Sequence, residues 1–538
     1  MAQPTPKNEK QPFLKNKKRL FGILFLLLIA GGVLFFIFRI ERIAENRLLE
    51  FINSELAPNA EVEFGEFSFS ILPAGLIIRD VRLLHLTPFE DHVPEKSADA
   101  IKNLEINFIE FSGINLYRML LERQWLLNQI VFDGFNLELV PLTTGSLVRS
   151  TPFGQPPPFL IENILFTNGS FTTFTDRMTD TYKYSIHSIR GELINFSVPD
   201  IDDPVYSYFQ DFEIQTSNSR YKTGNGFYQL GYDSVSVSSR DQKLYMQNGK
   251  AEPLFSALEM AEKTGYETDQ FSFNFDELFA EQFDFDLWFQ ERGFIAEGIR
   301  MLQPVLHIHR DKSMPREERD ERPLPIRYLN EYPQNISVDS IMFRGGTVSY
   351  TEDFSDESRK GSVSFYDTDL TIENVKNQDH EESISAVAST TFMDLTGLNL
   401  RGEFSLDDNF SHQIRGSMSE LDLTLLNDSM SEWLFVRFGS GTLDQLDFYF
   451  SGDDDRARGE MHFIYHDLEI RFLDEETLEE TRNRRLRSFI ANLIRIRSEN
   501  TFDDPRTGTI DFERDKTRSI FNYWWKSVAS GLEDSVTR

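Results

Sequence analysis

Few residues in this chain are spaced for chemistry. His307, His309 and Asp311 would share one face of a strand and could ligate a metal. The solvated end of a strand explains them more simply. His309-Arg310-Asp311 repeats a kinase catalytic triplet, but no glycine-rich loop and no Asp-Phe-Gly accompanies it. His462 and His466 flank Phe463-Ile464-Tyr465 and need no metal. Asp453-Asp454-Asp455 follows Gly452, where a turn favours Asp for backbone reasons. The nucleophile elbow, the phosphate-binding and dinucleotide glycine loops, the metalloprotease helix pair and the calcium loop are all absent. With no Cys there are no disulfides, thiolate zinc sites, iron–sulfur clusters or thiol nucleophiles. Nine His and no motif point away from an enzyme, and no cofactor or metal is expected.

What remains is a set of elements. The chain has 538 residues, 55 Lys+Arg and 87 Asp+Glu, for a net charge of -32. That charge argues against nucleic acid, because a binder needs a basic face to displace counterions. Forty-nine Phe and 21 Pro favour strands and turns over a helical bundle.

Leu20 to Phe38 carries no charge. As a helix, its 19 residues would span roughly 28 Å, close to a hydrocarbon core. Lys7, Lys10, Lys15, Lys17, Lys18 and Arg19 precede it, opposed only by Glu9, so the tail is net +5. The positive-inside rule places this tail, residues 1–19, in the cytoplasm. The rest of the chain, at -32 - 5 = -37, then lies across the membrane. Ala30-Gly31-Gly32 offers the alternative of a cleaved signal peptide. The apolar run continues through Phe38, which favours an uncleaved, single-pass anchor at 20–38. Ile40, Ile43, Ala44, Leu48, Phe51, Ile52 and Leu56 recur at helical spacing until Pro58, predicting a juxtamembrane helix over 39–57.

Beyond Pro58 the period becomes two. Phe67, Phe69 and Ile71 alternate, and Ile77, Val81 and Leu83 follow Gly75. The clearest strand has Leu398, Leu400, Gly402, Phe404 and Leu406 on one face and Asn399, Arg401, Glu403, Ser405 and Asp407 on the other. Leu421, Leu423 and Leu425 repeat the pattern, and so do Leu446, Phe448 and Phe450. Two segments resemble each other 169 residues apart. Leu104 and Ile106, a helical stretch near 114–121, and Ile130, Phe132, Leu137 and Leu139 match Phe273 and Phe275, a helical stretch near 277–289, and Ile299, Met301, Leu306 and Ile308. A further pair follows in the same order. Residues 159–166 with Gly169 match 336–343 with Gly346, each after a Pro-rich stretch. A tandem duplication of a strand-rich unit is expected. The predicted organisation is a first β-rich unit over 58–270, a second over 271–473, and a helical or mixed C-terminal region over 474–538.

The C-terminal region has two features. Arg482, Arg484, Arg485, Arg487, Arg495 and Arg497 fall in one stretch without an acid, among Phe489, Ile490, Leu493 and Ile494. Ile520, Phe521, Trp524, Trp525, Val528 and Leu532 recur at helical spacing. Arg484, Arg485, Arg487, Trp524 and Trp525 are candidates for contact with a partner or a membrane, while pairing with the upstream acids of 474–480 on a packed surface accounts for the arginines at least as well. A terminal helix covering the sheet edge is the simpler role for the tryptophans.

The fold class expected is mainly β: an elongated, curled antiparallel sheet forming a groove, with a few short helices. Strands of about six residues would number about 40. A sheet with one apolar face must close on itself, pack on a second layer, or curl into a trough lined for something apolar. In the last case Leu398, Leu400, Phe404, Leu406, Leu421, Leu423, Leu425, Leu446, Phe448 and Phe450 would line a lipid groove.

These features resemble the AsmA-like family of bacterial envelope proteins. The anchor runs into a helix, then Phe67-Ser68-Phe69 to Gly75-Leu76-Ile77-Ile78-Arg79-Asp80-Val81-Arg82-Leu83 is similar to that family's opening hairpin. Asn115-Leu116-Tyr117-Arg118-Met119-Leu120, followed by Ile130-Val131-Phe132-Asp133-Gly134-Phe135-Asn136-Leu137, is similar to its helix-then-strand unit. Tyr465-His466-Asp467-Leu468, Ala491-Asn492-Leu493-Ile494, Glu513-Arg514-Asp515 and Ser519-Ile520-Phe521-Asn522-Tyr523-Trp524-Trp525-Lys526-Ser527 resemble its C-terminal end. The resemblance implies an inner-membrane anchor, a periplasmic body and a β-groove carrying phospholipid toward the outer membrane. It implies no catalytic residues. Some relatives act instead in outer-membrane protein assembly, so a structural or assembly factor with a closed β core is the alternative. The chain is shorter than members expected to bridge the envelope, which points to an envelope protein partner on the far side.

Overall fold

The computed structural model describes residues 60–537 except 72–73, 87–98, 116, 119–124, 142–158, 176–180, 198–204, 318–320, 355–359, 379–381 and 474–495. The expected tail, membrane anchor and juxtamembrane helix lie outside the described residues, as do Arg484, Arg485 and Arg487. Among the described residues no helix is long and apolar enough to cross a membrane. The described chain is mainly β, with 23 strands in one large mixed sheet. It divides into two compact units, one of residues 1–181 with 192–210, the other of 182–191 with 211–538.

In the first unit, β1 (Ala60–Glu63) and β2 (Phe67–Ile71) both pair antiparallel with β3 (Ala74–Leu86). Next to β3 runs β4 (Asp99–Ser112). Two shorter strands, β5 (Trp125–Asp133) and β6 (Asn136–Pro141), pair antiparallel with β4, and β7 (Phe159–Phe174) runs parallel to both. Leu127, Ile130, Ile161 and Ile164 form a small core here, packed by Ile109, Phe132 and Phe166. Strand β8 (Tyr182–Ser197) contributes residues to both units.

The second unit opens with a meander of β9 (Asp211–Lys222), β10 (Tyr228–Ser238), β11 (Lys243–Pro253) and β12 (Asp269–Glu281). Strands β13 (Gly293–Leu302) and β14 (Val305–Asp311) pair antiparallel with β12, and β15 (Asn335–Asp353) runs parallel to both. A second antiparallel run follows: β16 (Lys360–Lys376), β17 (Ile384–Phe392), β18 (Thr396–Phe404) and β19 (His412–Met418). Strand β21 (Val436–Gly452) pairs with β19 and with the short β20 (Leu421–Asp422). It leads into β22 (Arg456–Phe472) and then β23 (Thr507–Glu513).

The two segments that resemble each other in sequence carry the same pairings in the same register. Ile109 faces Phe132 in the first copy and Leu278 faces Met301 in the second, both shifted by 169 (278 - 109, 301 - 132). Leu104 opposite Leu137 becomes Phe273 opposite Leu306, again 169 (273 - 104, 306 - 137). The parallel partner moves by 177, since Ile164 beside Ile130 becomes Ile341 beside Ile299 (341 - 164). Left-handed backbone recurs at the same places. Gly134 matches Gln303, Asn168 matches Gly345, and Ser188 and Asn195 match Asp367 and Asn374.

Three expectations need correction. The sheet is mixed, because the crossovers into β7 and β15 return the chain to run alongside β5–β6 and β13–β14. Strand periodicity is two in either direction, so it carries no information on this point. Most of the described strands are longer than the roughly six residues expected, up to 19 in β15. The helix expected over 277–289 shrinks to Phe285–Phe289, because β12 continues to Glu281 and Asp284 then caps the turn, its carboxylate accepting from Leu287 N at 2.9 Å.

Candidate functional site

The apolar face of the second unit is assembled row by row across neighbouring strands. Ile372, Ala386, Gly402, Ile414 and Phe450 sit opposite one another from β16 to β21. The adjacent row is Leu370, Ala388, Leu400, Gly416 and Phe448. Gly416 is a notch: a Cβ there would come within 2.2 Å of the Phe448 ring. Only glycine lets that ring lie flat on the strand.

Helices roof this face. In the helix Pro325–Asn330, proline stands at the first position, and Leu324 and Ile326 are buried. The C-terminal helix Ile520–Val536 starts at Ser519, whose Oγ accepts from Asn522 N at 3.4 Å. Its stripe Ile520, Trp524, Val528 and Leu532 faces the sheet. The same helix covers the outer edge of β23. Thr509 N donates to Asp534 Oδ2 at 2.8 Å and Asp511 N donates to Ser530 Oγ at 3.2 Å. Gly508 makes this approach possible, since a Cβ there would meet Ser535 Oγ at 2.1 Å.

Sheet and helices enclose a cavity of about 860 Å3. Its wall is almost wholly carbon, with Arg401, His412 and Glu533 the charged or titratable side chains along it. A volume of this size is that of a small-molecule or acyl-chain site. Leu398, Leu400, Phe404, Leu421, Leu423, Leu446, Phe448 and Phe450 line it, as do Trp524 and Trp525. Phe521 also lines it while 71% exposed, and so marks the mouth.

Two groove candidates lie elsewhere. Leu406 is buried in the adjoining core. Leu425 is exposed, because the strand expected over 421–425 is only β20. Asp422 then caps a 3-10 turn, Leu423–Leu426, its carboxylate accepting from Thr424 N at 2.9 Å, and a helix Asn427–Leu434 follows. In that turn every second leucine no longer shares a face. Sequence reasoning missed Leu324, Ile326 and Leu329. Their signal was the Leu-Pro-Ile start of a helix inside a proline-rich stretch.

His412 is the polar centre of the wall and is 3% exposed. Its Nδ1 is 3.2 Å from the Phe410 carbonyl, and Trp524 Nε1–H donates to its Nε2 at 3.2 Å. Both contacts are satisfied by the neutral imidazole protonated on Nδ1. The rings of Phe404, Phe450, Tyr523 and Trp524 surround it. Burial, chiefly, holds its pKa below the ordinary 6.5.

Several other polar candidates are held in ion pairs or hydrogen bonds. Arg514 is fully buried, paired with Asp454, and donates to the Arg322 carbonyl. Lys516 reaches Asp454 at 3.0 Å and Asp455 at 2.7 Å. The Asp453–Asp455 turn is therefore an ion-paired brace. His309 pairs with Asp353 at 3.0 Å and His466 with Asp444 at 3.0 Å. Among the described residues no three His, Asp or Glu are grouped to hold a metal ion.

The fold and site together define a mixed-sheet protein whose one apolar face, roofed by helices, encloses a carbon-lined cavity. No protein-family model matches the chain, and no curated protein matches it in sequence.

Proposed function

We propose that this chain is a membrane-anchored envelope protein of the AsmA-like kind, which holds phospholipid acyl chains against the apolar face of its sheet and conducts them between the inner and outer membranes. The observation that carries this reading is the carbon-lined cavity between β16–β22 and the C-terminal helix. Each methylene transferred from water into such a wall gains roughly 0.8 kcal/mol. A charged headgroup finds few partners inside and stays at the mouth. The uncharged run 20–38 and the basic tail before it support an inner-membrane anchor with the body in the periplasm. The residues assigned to the groove are Leu398, Leu400, Phe404, Leu421, Leu423, Leu446, Phe448 and Phe450. The reading assigns no catalytic step and no cofactor.

One feature favours the alternative of an assembly factor. The C-terminal helix lays its apolar stripe on the cavity wall, as a core helix does.

The test is mass spectrometry of lipid retained by the full chain purified in mild detergent, with an unrelated single-span protein as control. Phospholipid in excess of the control, reduced at least severalfold in a folded Leu400→Asp variant, is the expected result. Lipid at the control level in the parent, with a stoichiometric protein partner recovered instead, would move the assignment to the assembly factor.

A further inference from the structure

The opposite, polar face of the same sheet carries a second cavity, of about 900 Å3, with a different chemistry. One row across it runs Thr371, Val387, Arg401, Arg415, Tyr449 and Glu460, each directly opposite the next. Arg401 and Arg415 are therefore immediate cross-strand neighbours, their backbones about 5 Å apart. Like charges in that position destabilise a sheet.

Composition makes the pair more unusual. With 87 Asp+Glu against 55 Lys+Arg, a carboxylate is the commonest remedy available to this chain. Among the described residues neither guanidinium forms an ion pair. Glu403, two positions along the same face of the strand, and Asp369, Asp447 and Glu460 lie nearby, none within ion-pair distance of either guanidinium. Asp369 accepts from Gly345 N at 2.9 Å, Asp447 accepts from Gln445 Nε2, and Glu460 lies beyond Tyr449 in the row. Arg415 rests on the Tyr449 ring, 4.8 Å from its centroid, which fixes one guanidinium plane. Arg344 closes the far wall, held by the Leu370 carbonyl at 3.3 Å and Thr371 Oγ1 at 3.0 Å. The adjacent row supplies Ser389, Asn399 and Ser417 as neutral donors.

We propose that this groove binds a phosphate-class oxyanion between Arg401 and Arg415, each guanidinium donating to its oxygens. The anion supplies the negative charge that the cross-strand pair lacks. Of the side chains that would hold the anion only Arg401 also lines the apolar cavity, and none of the cavity's carbon wall is used, so the two readings are tested separately. Phosphate could arrive as a free monoester, which is a dianion, or as the diester of a phospholipid headgroup.

The test is thermal unfolding and calorimetric titration of the full chain at constant ionic strength. The probes are inorganic phosphate, glycerol 3-phosphate and the diester glycerophosphoglycerol. Binding stabilises the parent by RT ln(1 + c/Kd) at free ligand concentration c, a logarithmic rise. The expected result is a rise in Tm that continues with the logarithm of ligand concentration, together with a saturable calorimetric isotherm, both lost in an Arg401→Gln, Arg415→Gln double variant, whose affinity is weakened roughly tenfold or more. Without ligand the double variant melts no lower than the parent, since a repulsion has been removed. Preference for the monoesters would identify a soluble ligand, and equal or tighter binding of the diester a headgroup. No rise in the parent, or an equal rise in parent and double variant, would overturn the proposal.

Discussion

At the scale of single residues, His412 is where solvent conditions reach the cavity. Its Nε2 accepts the Trp524 indole N–H, so a second proton on the ring would set two donors against each other. The charged groups around it are Asp453 on the β21–β22 turn and Arg514 after β23, which act in opposite directions. Burial dominates and lowers the folded-state pKa below 6.5. The unfolded chain therefore binds this proton first as pH falls. Stability contributed by neutral His412 is present above about pH 6.5 and declines as pH drops through and below it, by up to about 1.4 kcal/mol per pH unit. Thermal melts between pH 7.5 and 5 should show a steeper acid loss in the parent than in a His412→Gln variant. Equal slopes would assign the acid loss to other groups. His412 was legible in sequence only as one of nine histidines, because its importance comes from Trp524, 112 positions away.

At the scale of elements, the C-terminal helix has two roles that its sequence stripe could not separate. Ile520, Trp524, Val528 and Leu532 announce a helix with one apolar face, but the stripe alone fits a membrane surface, a partner groove or the chain's own sheet. What decides is Asp534 and Ser530, which take up Thr509 N and Asp511 N along the open side of β23. An Asp534→Ala, Ser530→Ala double variant leaves those donors without their partners. It should lose about 1–3 kcal/mol and self-associate through the bared edge. Denaturant melts and light scattering at rising protein concentration check both, and a variant that stays monomeric and as stable as the parent would refute the sealing role. The strands around Leu398–Phe404 and Leu446–Phe450 were legible because each has one dry and one wet face. Residues 421–425 alternate in sequence like a strand, but the capping Asp422 starts a 3-10 turn of about three residues per turn, in which alternate leucines no longer share a face.

At the scale of the whole molecule, the repeat was visible as loose sequence similarity and becomes strict in the pairings. Side-chain identity drifts freely while register and left-handed positions are retained, since a one-residue slip would turn every apolar side chain outward. Direction of pairing was not visible, because parallel and antiparallel strands demand the same alternation. Two compact units, each with its own buried apolar cluster, should unfold in more than one step. Calorimetry of the full chain is expected to give a van't Hoff enthalpy below the calorimetric one, and a single two-state peak would contradict this.

The order of elements also sets an order in time. Strands β16 to β19 are neighbours in sequence and can pair as soon as each is made. The helix that roofs them ends 118 residues after β19 (536 - 418). At about 5–20 residues per second, synthesis leaves that wall without its roof for roughly 6–24 s. During this interval a nascent chain presents a formed, greasy surface to its surroundings. Whatever first occupies that surface, a chaperone or a lipid, must be displaced or enclosed when the helix arrives.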